Sequence, residues 1–158
     1  MLEYGKMSAE LSLKELGLTL PAPPAPGGNY LPAKSVGCLL FLSGVISINQ
    51  QGVMTGVVGR DRTLEEGYEA ARQCALMQLA VIRQALGSLD RVKQIVSVNG
   101  YVNTVSDFPD SPKVINGASD LLAAVFGEAG RHVRAAIGVT ALPRNAMVEL
   151  QMVVEVAE

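Results

Sequence analysis

The most regular stretch of the chain runs from Arg62 to Leu86. Leu64, Tyr68, Ala71, Ala75, Leu79, Ile82 and Leu86 recur there at three- and four-residue intervals, so they share one face of a helix. Thr63 followed by Glu66 makes a capping box, in which hydroxyl and carboxylate satisfy backbone donors that the first turn leaves free, and Gly87 supplies the stop. Cys74, Met77 and Val81 form a second stripe beside the first, which predicts a helix buried on more than one side. Ser111 to Phe126 carries a similar signature: Pro112 suits a first turn, Val114, Ala118, Leu121, Leu122 and Val125 make the inner face, and Gly127 ends it. A shorter helix is expected over Met7 to Leu18. Leu11, Leu16 and Leu18 stand there at near-helical spacing, Leu13 fits less well, and Gly17 is placed as the stop.

Strands follow from the remaining apolar runs. Tyr30 to Val36 and Cys38 to Val45 read as two, the second apolar enough to lie centrally in a sheet and interrupted at its end by Ser43-Gly44. Asn49 to Gly52 is a turn, and Gly52, Gly56 and Gly59 leave room only for a weak edge strand after it. In Arg91 to Val105, Val92, Val96, Val98 and Val102 share one parity and Ile95 and Tyr101 the other. Asn99-Gly100 inside that run reads as a hairpin turn or as a local glycine bulge. Last come Ala135 to Leu142 and Ala146 to Val156, flanking Leu142-Pro143-Arg144-Asn145. So short a connection predicts an antiparallel hairpin, with Arg134 a near neighbour of Glu149.

The order strands, helix, strand, helix, strand, strand gives an α+β domain, and right-handed crossovers place both long helices on one face of the sheet. The opposite face is too apolar to be left to water, which implies self-association. Pro21 to Gly28 forbids helix and ladder alike and is read as an extended strap over the domain, a ligand for proline-binding modules being the alternative.

Composition narrows the functional classes. At 158 residues the chain suits one domain, and 49% hydrophobic with 4% aromatic residues means a core of Leu, Val, Ile, Ala and Met. A net charge of −2 and a pI near 5.5 give no reason to expect a polyanionic partner, so nucleic acid is not the expected ligand. Cys38 and Cys74, both in apolar runs, are expected to be buried reduced thiols; with His132 they are too few for a metal site, and no metal is expected. No basic segment leads into an apolar run and no run approaches membrane-spanning length, so the expectation is a cytoplasmic protein without a membrane partner. Met1 to Lys6, ahead of Met7, read as either a vector remnant or an upstream-start extension.

Two charged residues carry candidate chemistry. Arg134 enters an apolar strand with a planar fork of donors that pairs bidentately with a carboxylate; a salt bridge at a strand end, to Glu149 itself, is the bland reading. Glu149, between Val148 and Leu150, faces away from them and could take a proton from attacking water, or be an ordinary exposed residue of an amphipathic strand. His132 could exchange protons in the same cleft or be a solvated loop residue.

The succession of arginine, apolar strand, Leu-Pro, short polar turn and Val-Glu-Leu resembles the C-terminal signature of the Rid (RidA/YjgF) family of enamine and imine deaminases. Gly28-Asn29-Tyr30, Leu42-Ser43-Gly44, Ser106-Asp107-Phe108 and Val114-Ile115-Asn116 agree in order and approximate spacing, so the resemblance covers Gly28 to the C-terminus. It implies a chorismate-mutase-like mixed sheet with two long helices on one face, a Rid-like domain over residues 28–158 preceded by helix and strap in 1–27, and one long strand through Asn99-Gly100, which favours the glycine bulge over the hairpin turn there. It also implies a homotrimer with ligand clefts between subunits, and hydrolysis of a 2-imino or enamino acid to the 2-oxo acid and ammonia without a cofactor.

On that resemblance Arg134 holds the substrate carboxylate, Glu149 positions water, and Tyr30, Ser43, Gly44 and Asn116 shape the pocket. Ala136 stands where many members carry a cysteine. A side-chain nucleophile is thereby excluded at that position, and the Ala136 carbonyl is left to orient water. The alternative is a non-catalytic module of the same fold that binds a small carboxylic acid. Ribonuclease activity, known among relatives, fits poorly with an acidic chain holding one histidine.

Overall fold

Two of the three described helices begin on a side-chain cap. The computed structural model describes residues 7–158, so Met1 to Lys6 lie outside the described residues. Helix α1 spans Ala9–Glu15, α2 Leu64–Leu86 and α3 Ser111–Phe126. At the start of α2 the Glu66 N–H donates to Thr63 Oγ1 (3.1 Å) and the Thr63 N–H to Glu66 Oε2 (2.8 Å), while Gly87 ends the helix in the left-handed conformation (φ 85°). In α1 the leucine at the poorest spacing is the buried one. Ala9 and Leu13, four apart, enter the core, and Leu11 and Leu16 fall round the helix into solvent. Arg83 of α2 donates to the Glu10 carboxylate from Nη2 at 2.6 Å and from Nε at 3.1 Å, and the Leu89 N–H adds a third bond at 2.9 Å, pinning α1 to the long helix.

Eight strands follow: β1 Ala33–Val36, β2 Leu39–Leu42, β3 Val45–Ile46, β4 Ile48–Asn49, β5 Gly52–Val53, β6 Val92–Asn103, β7 Val133–Val139 and β8 Val148–Val156. The main sheet has the order β1-β2-β8-β6-β7, with β3 also on β8; β6 and β7 are parallel and the other pairs antiparallel. β4 and β5 pair with each other in a separate ribbon, which is all the structure the glycines after Asn49 allow. Among the described residues no helix is long and apolar enough to cross a membrane.

The expected hairpin of the last two strands is not formed. β7 and β8 lie on opposite sides of β6, delivered to it in different ways. The α3 crossover returns the chain parallel to β6, making β7 the sheet edge. The turn after β7 then carries the chain over the end of β6. Arg144 and Asn145 are both left-handed there (φ 56° each), and the buried Asn103 at the end of β6 donates from Nδ2 to Asn145 Oδ1 (3.3 Å) and to Ala146 O (3.2 Å). A short connection therefore joins two strands that are not neighbours.

The bulge is also displaced. Pairing runs without a break through Gly100, and irregularities fall at Val92/Gln94 and Ile95/Ser97 instead. Gly100 answers a different need, since a Cβ there would lie 2.5 Å from Ile115 of α3. A further bulge sits where β2 gives way to β3. Phe41 pairs with Val153 and Val45 with Leu150, so four steps on one strand (41 to 45) meet three on the other (153 to 150), and Ser43-Gly44 takes up the difference.

Both long helices cover one face of the sheet and enclose the core, where Leu79, Ile82, Ile95, Val98, Leu122, Leu150 and Met152 are fully buried or nearly so. Cys74 is buried there, but Cys38 is exposed, because it belongs to the tight turn between β1 and β2 and not to the apolar strand after it. The other face is open. Phe41, Val153, Ser97 and Val133 form one row across it, and Glu149, Tyr101 and Ile137 another. Val133 is 70% exposed and Ile137 50%, a burden of apolar surface on one chain that argues for a covering partner.

Candidate functional site

The Ser43-Gly44 bulge is held from behind. Gln78, fully buried on α2, donates both of its amide protons from Nε2, to Ser43 O (2.9 Å) and to Leu150 O (2.8 Å). On the outer side Ser43 Oγ donates to Leu31 O (2.6 Å) and its N–H to Pro32 O (2.9 Å), which fastens the incoming strap segment to the bulge. Gly44 is a matter of space: a Cβ there would stand 3.2 Å from the Glu149 carboxyl carbon, tighter than ordinary contact.

In front of the bulge lies a cleft of about 710 Å³, walled by the strap residues Pro24, Ala25 and Gly27, by Tyr30, Ser43, Gly44, Ile46 and Ile48, and by Pro143, Arg144, Glu149 and Gln151. Tyr30 is folded back so that its hydroxyl accepts the Gly27 N–H at 3.0 Å. The half-buried Glu149 carboxylate makes no hydrogen bond or ion pair among the described residues. Burial pushes its carboxyl above the ordinary range, the direction that suits a base working near neutral pH. Cys74 lies on the core side; burial foremost, and then the Glu149 charge, push its thiol far up, so it is no nucleophile.

Arg134 is elsewhere. It pairs with Val98, whose side chain is fully buried on the helix side, while Glu149 pairs with Tyr101 and shares the opposite, open face. Three positions along β6 and two strand spacings separate them, about 10 Å each way. No ion pair joins Arg134 to Glu149, so the strand-end salt bridge is not formed.

Arg134 instead donates from Nη1 to Ser119 Oγ (3.0 Å) and from Nη2 to Pro112 O (3.1 Å), both on α3. Asn116 is half-buried on the same helix face, four residues from Pro112 and three from Ser119. His132 completes this group. Its Nδ1 meets Gly130 O at 2.7 Å and so carries the proton, which leaves Nε2 to accept from the Ser119 hydroxyl at 2.9 Å. Burial, opposed by the Gly130 carbonyl and aided by the Arg134 charge, lowers its pKa and keeps the ring neutral. Ala136, half-buried on β7, puts a methyl against the core.

One chain thus gathers Tyr30, Ser43, Gly44 and Glu149 around the cleft, and Arg134, Asn116 and Ala136 at the β7 edge, without joining the two groups. Sequence reasoning missed Gln78, Ser119 and Arg144. Gln78 had a signal, as the one polar residue between Cys74 and Ile82; Ser119 and Arg144 looked like ordinary helix and turn residues.

Comparison with known proteins places this architecture. The family model described as "YjgF/chorismate_mutase-like, putative endoribonuclease" matches residues 10–156. Protein TCP17 of Trypanosoma cruzi is 45% identical over 96% of this chain and 94% of its own length. The crystal structure of the protein Atu1372 from Agrobacterium tumefaciens superposes with a TM-score of 0.86 at 42% identity, covering 96% of this chain and 93% of that one. A 2-iminobutanoate/2-iminopropanoate deaminase of Dermatophagoides farinae is 28% identical over 87% of this chain and 93% of its own length. With the mixed sheet, the two long helices on one face and the matched positions, the chain belongs to the YjgF/chorismate-mutase-like family, that of the Rid proteins.

Proposed function

We propose that this protein hydrolyses reactive 2-imino and enamino acids to 2-oxo acids and ammonia, in clefts completed between subunits of a homotrimer. The observation that carries the reading is Glu149: a half-buried carboxylate without a partner among the described residues, its pKa raised, on the wall of a cleft large enough for a small acid. The similarity to a deaminase of 2-iminobutanoate and 2-iminopropanoate supports the same class of substrate.

The separation of Arg134 from Glu149 supports the oligomer. A small imino acid cannot span two strand spacings and two faces, so the β7 edge of one copy meets the open face of the next. Such a contact joins unlike patches and closes as a ring; three is the number that the family resemblance implies. That contact would bury Val133 and Ile137, which are exposed on the single chain.

In the mechanism, Arg134 pairs with the substrate carboxylate through donors left over after Ser119 and Pro112 are served. Glu149 takes a proton from water as the oxygen bonds to the C=N carbon, and the nitrogen receives a proton. The tetrahedral intermediate then loses ammonia and leaves the carbonyl. Tyr30, Ser43, Gly44 and Asn116 shape the pocket, and the Ala136 carbonyl orients the water. No thiol takes part, and no cofactor is needed because the imine carbon is already electrophilic.

The test generates imino acids in place with an amino-acid oxidase and follows their decay with and without the protein. Faster decay, lost in Arg134→Ala, is expected. No acceleration with any imino acid would refute the reading and favour the non-catalytic acid-binding module, which Ala136 in place of cysteine also suits; oxo acids would then raise the melting temperature without being consumed.

A further inference from the structure

Arg144 shares the cleft with Glu149, yet the hydrolysis above gives it nothing to do. Its backbone is left-handed (φ 56°, ψ 27°), a conformation that glycine or asparagine takes more easily than arginine. The fold fixes it there. The Asn145 N–H donates to Leu142 O and the Ala146 N–H to Pro143 O, each at 3.1 Å, and Asn103 holds the turn from beneath. The guanidinium makes no hydrogen bond or ion pair among the described residues, and Glu149 in the same cleft is not its partner. An exposed cation on a fixed turn at the wall of the cleft, with its donors unused, is placed for an anion that comes from outside the chain.

From this arrangement we infer that the cleft selects dicarboxylic 2-imino and 2-oxo acids, with Arg144 binding the carboxylate at the far end of the side chain. The inference rests on the proposed deaminase site for the first carboxylate, which Arg134 takes; the second guanidinium asks for a second anionic group. A carboxylate suits it better than a phosphate. The fork pairs with either anion, but a phosphate dianion would stand in the same cleft as the Glu149 carboxylate and be repelled more strongly than a single carboxylate. The role is one of specificity: binding energy at the far end orients the C=N carbon toward the water on Glu149.

The experiment compares kcat/KM for imines made in place from aspartate or glutamate with those made from alanine or 2-aminobutyrate, in the wild type, Arg144→Gln, Arg144→Lys and Arg134→Ala. The expected result is a wild-type preference for the dicarboxylic imines. Arg144→Gln loses about ten- to a hundredfold more on them than on the monocarboxylic ones, Arg144→Lys recovers part of the loss, and Arg134→Ala loses both classes alike. An unchanged ratio in Arg144→Gln would overturn the inference. A thermal-shift arm with 2-oxoglutarate and pyruvate separates this from failure of the deaminase reading. If no imine is hydrolysed, a larger shift with the dicarboxylate that disappears in Arg144→Gln still upholds the site, and equal shifts in both proteins remove it.

Discussion

Replacing Gln78 by methionine tests how the cleft is built. Met conserves the volume, so no cavity is opened. Two hydrogen bonds are lost, to Ser43 O and Leu150 O. At about 1 kcal/mol net apiece they amount to about 2 kcal/mol. The same substitution deletes Gln78 Oε1, a buried oxygen without a partner, which returns about 1 kcal/mol. The net loss is about 1 kcal/mol, or about 2–4 °C in melting temperature for a domain of this size. Differential scanning calorimetry measures it on the purified variant. Because Ser43-Gly44 is the bulge these bonds hold, imine turnover should fall several-fold while the oligomer persists. An unchanged or higher melting temperature together with full turnover would refute the idea that Gln78 holds the cleft wall.

Three other perturbations probe separate parts of the account. Glu149→Gln should abolish turnover yet stabilise the protein: the folded-state pKa is raised by burial, so the native state binds more protons than the unfolded one, and wild-type stability falls as pH rises above about 4.5 while the variant's does not; melting profiles that run parallel would count against this. His132 has the opposite sign. Its folded pKa is lowered, the unfolded state binds more protons below about 6.5, and wild-type stability declines from about pH 7 to about pH 5 in a way that His132→Gln removes, as thermal melts across that range would register. Gly117→Ala drives a methyl into the Tyr68 carbonyl where α3 crosses α2, and overpacking there should cost about 1–3 kcal/mol in urea unfolding; a neutral effect would mean the helices part easily.

The local signals in the chain were strong wherever structure is local. Thr63 with Glu66, Pro112, Gly87 and Gly127 bounded the two long helices because caps and stops act within a few residues. Strand pairing is not legible where it depends on distant partners. Leu142 to Asn145 has the composition of a hairpin turn, and nothing local says that β6 lies between the strands it joins or that Asn103, about forty residues upstream, fixes its path. Gly100 likewise carried a bulge signal but is explained by Ile115 across the helix-sheet interface. Among the candidate residues, Glu149, Ser43, Gly44 and Tyr30, which the family resemblance groups together, line one cleft. The expected nearness of Arg134 to Glu149 failed with the hairpin. Gln78 and Arg144 acquire meaning only through what the fold brings to them.

In the proposed mechanism Arg134 of one copy and Glu149 of another make one working site. Mixing subunits tests it directly. Arg134→Ala and Glu149→Gln are each expected to leave imine decay at the uncatalysed rate, but an equal mixture, dissociated and reassembled, pairs an intact Arg134 with an intact Glu149 at about one interface in four and should recover about a quarter of wild-type activity. If verified mixed oligomers stay inactive, or if either variant alone keeps wild-type turnover, the shared site does not exist as described.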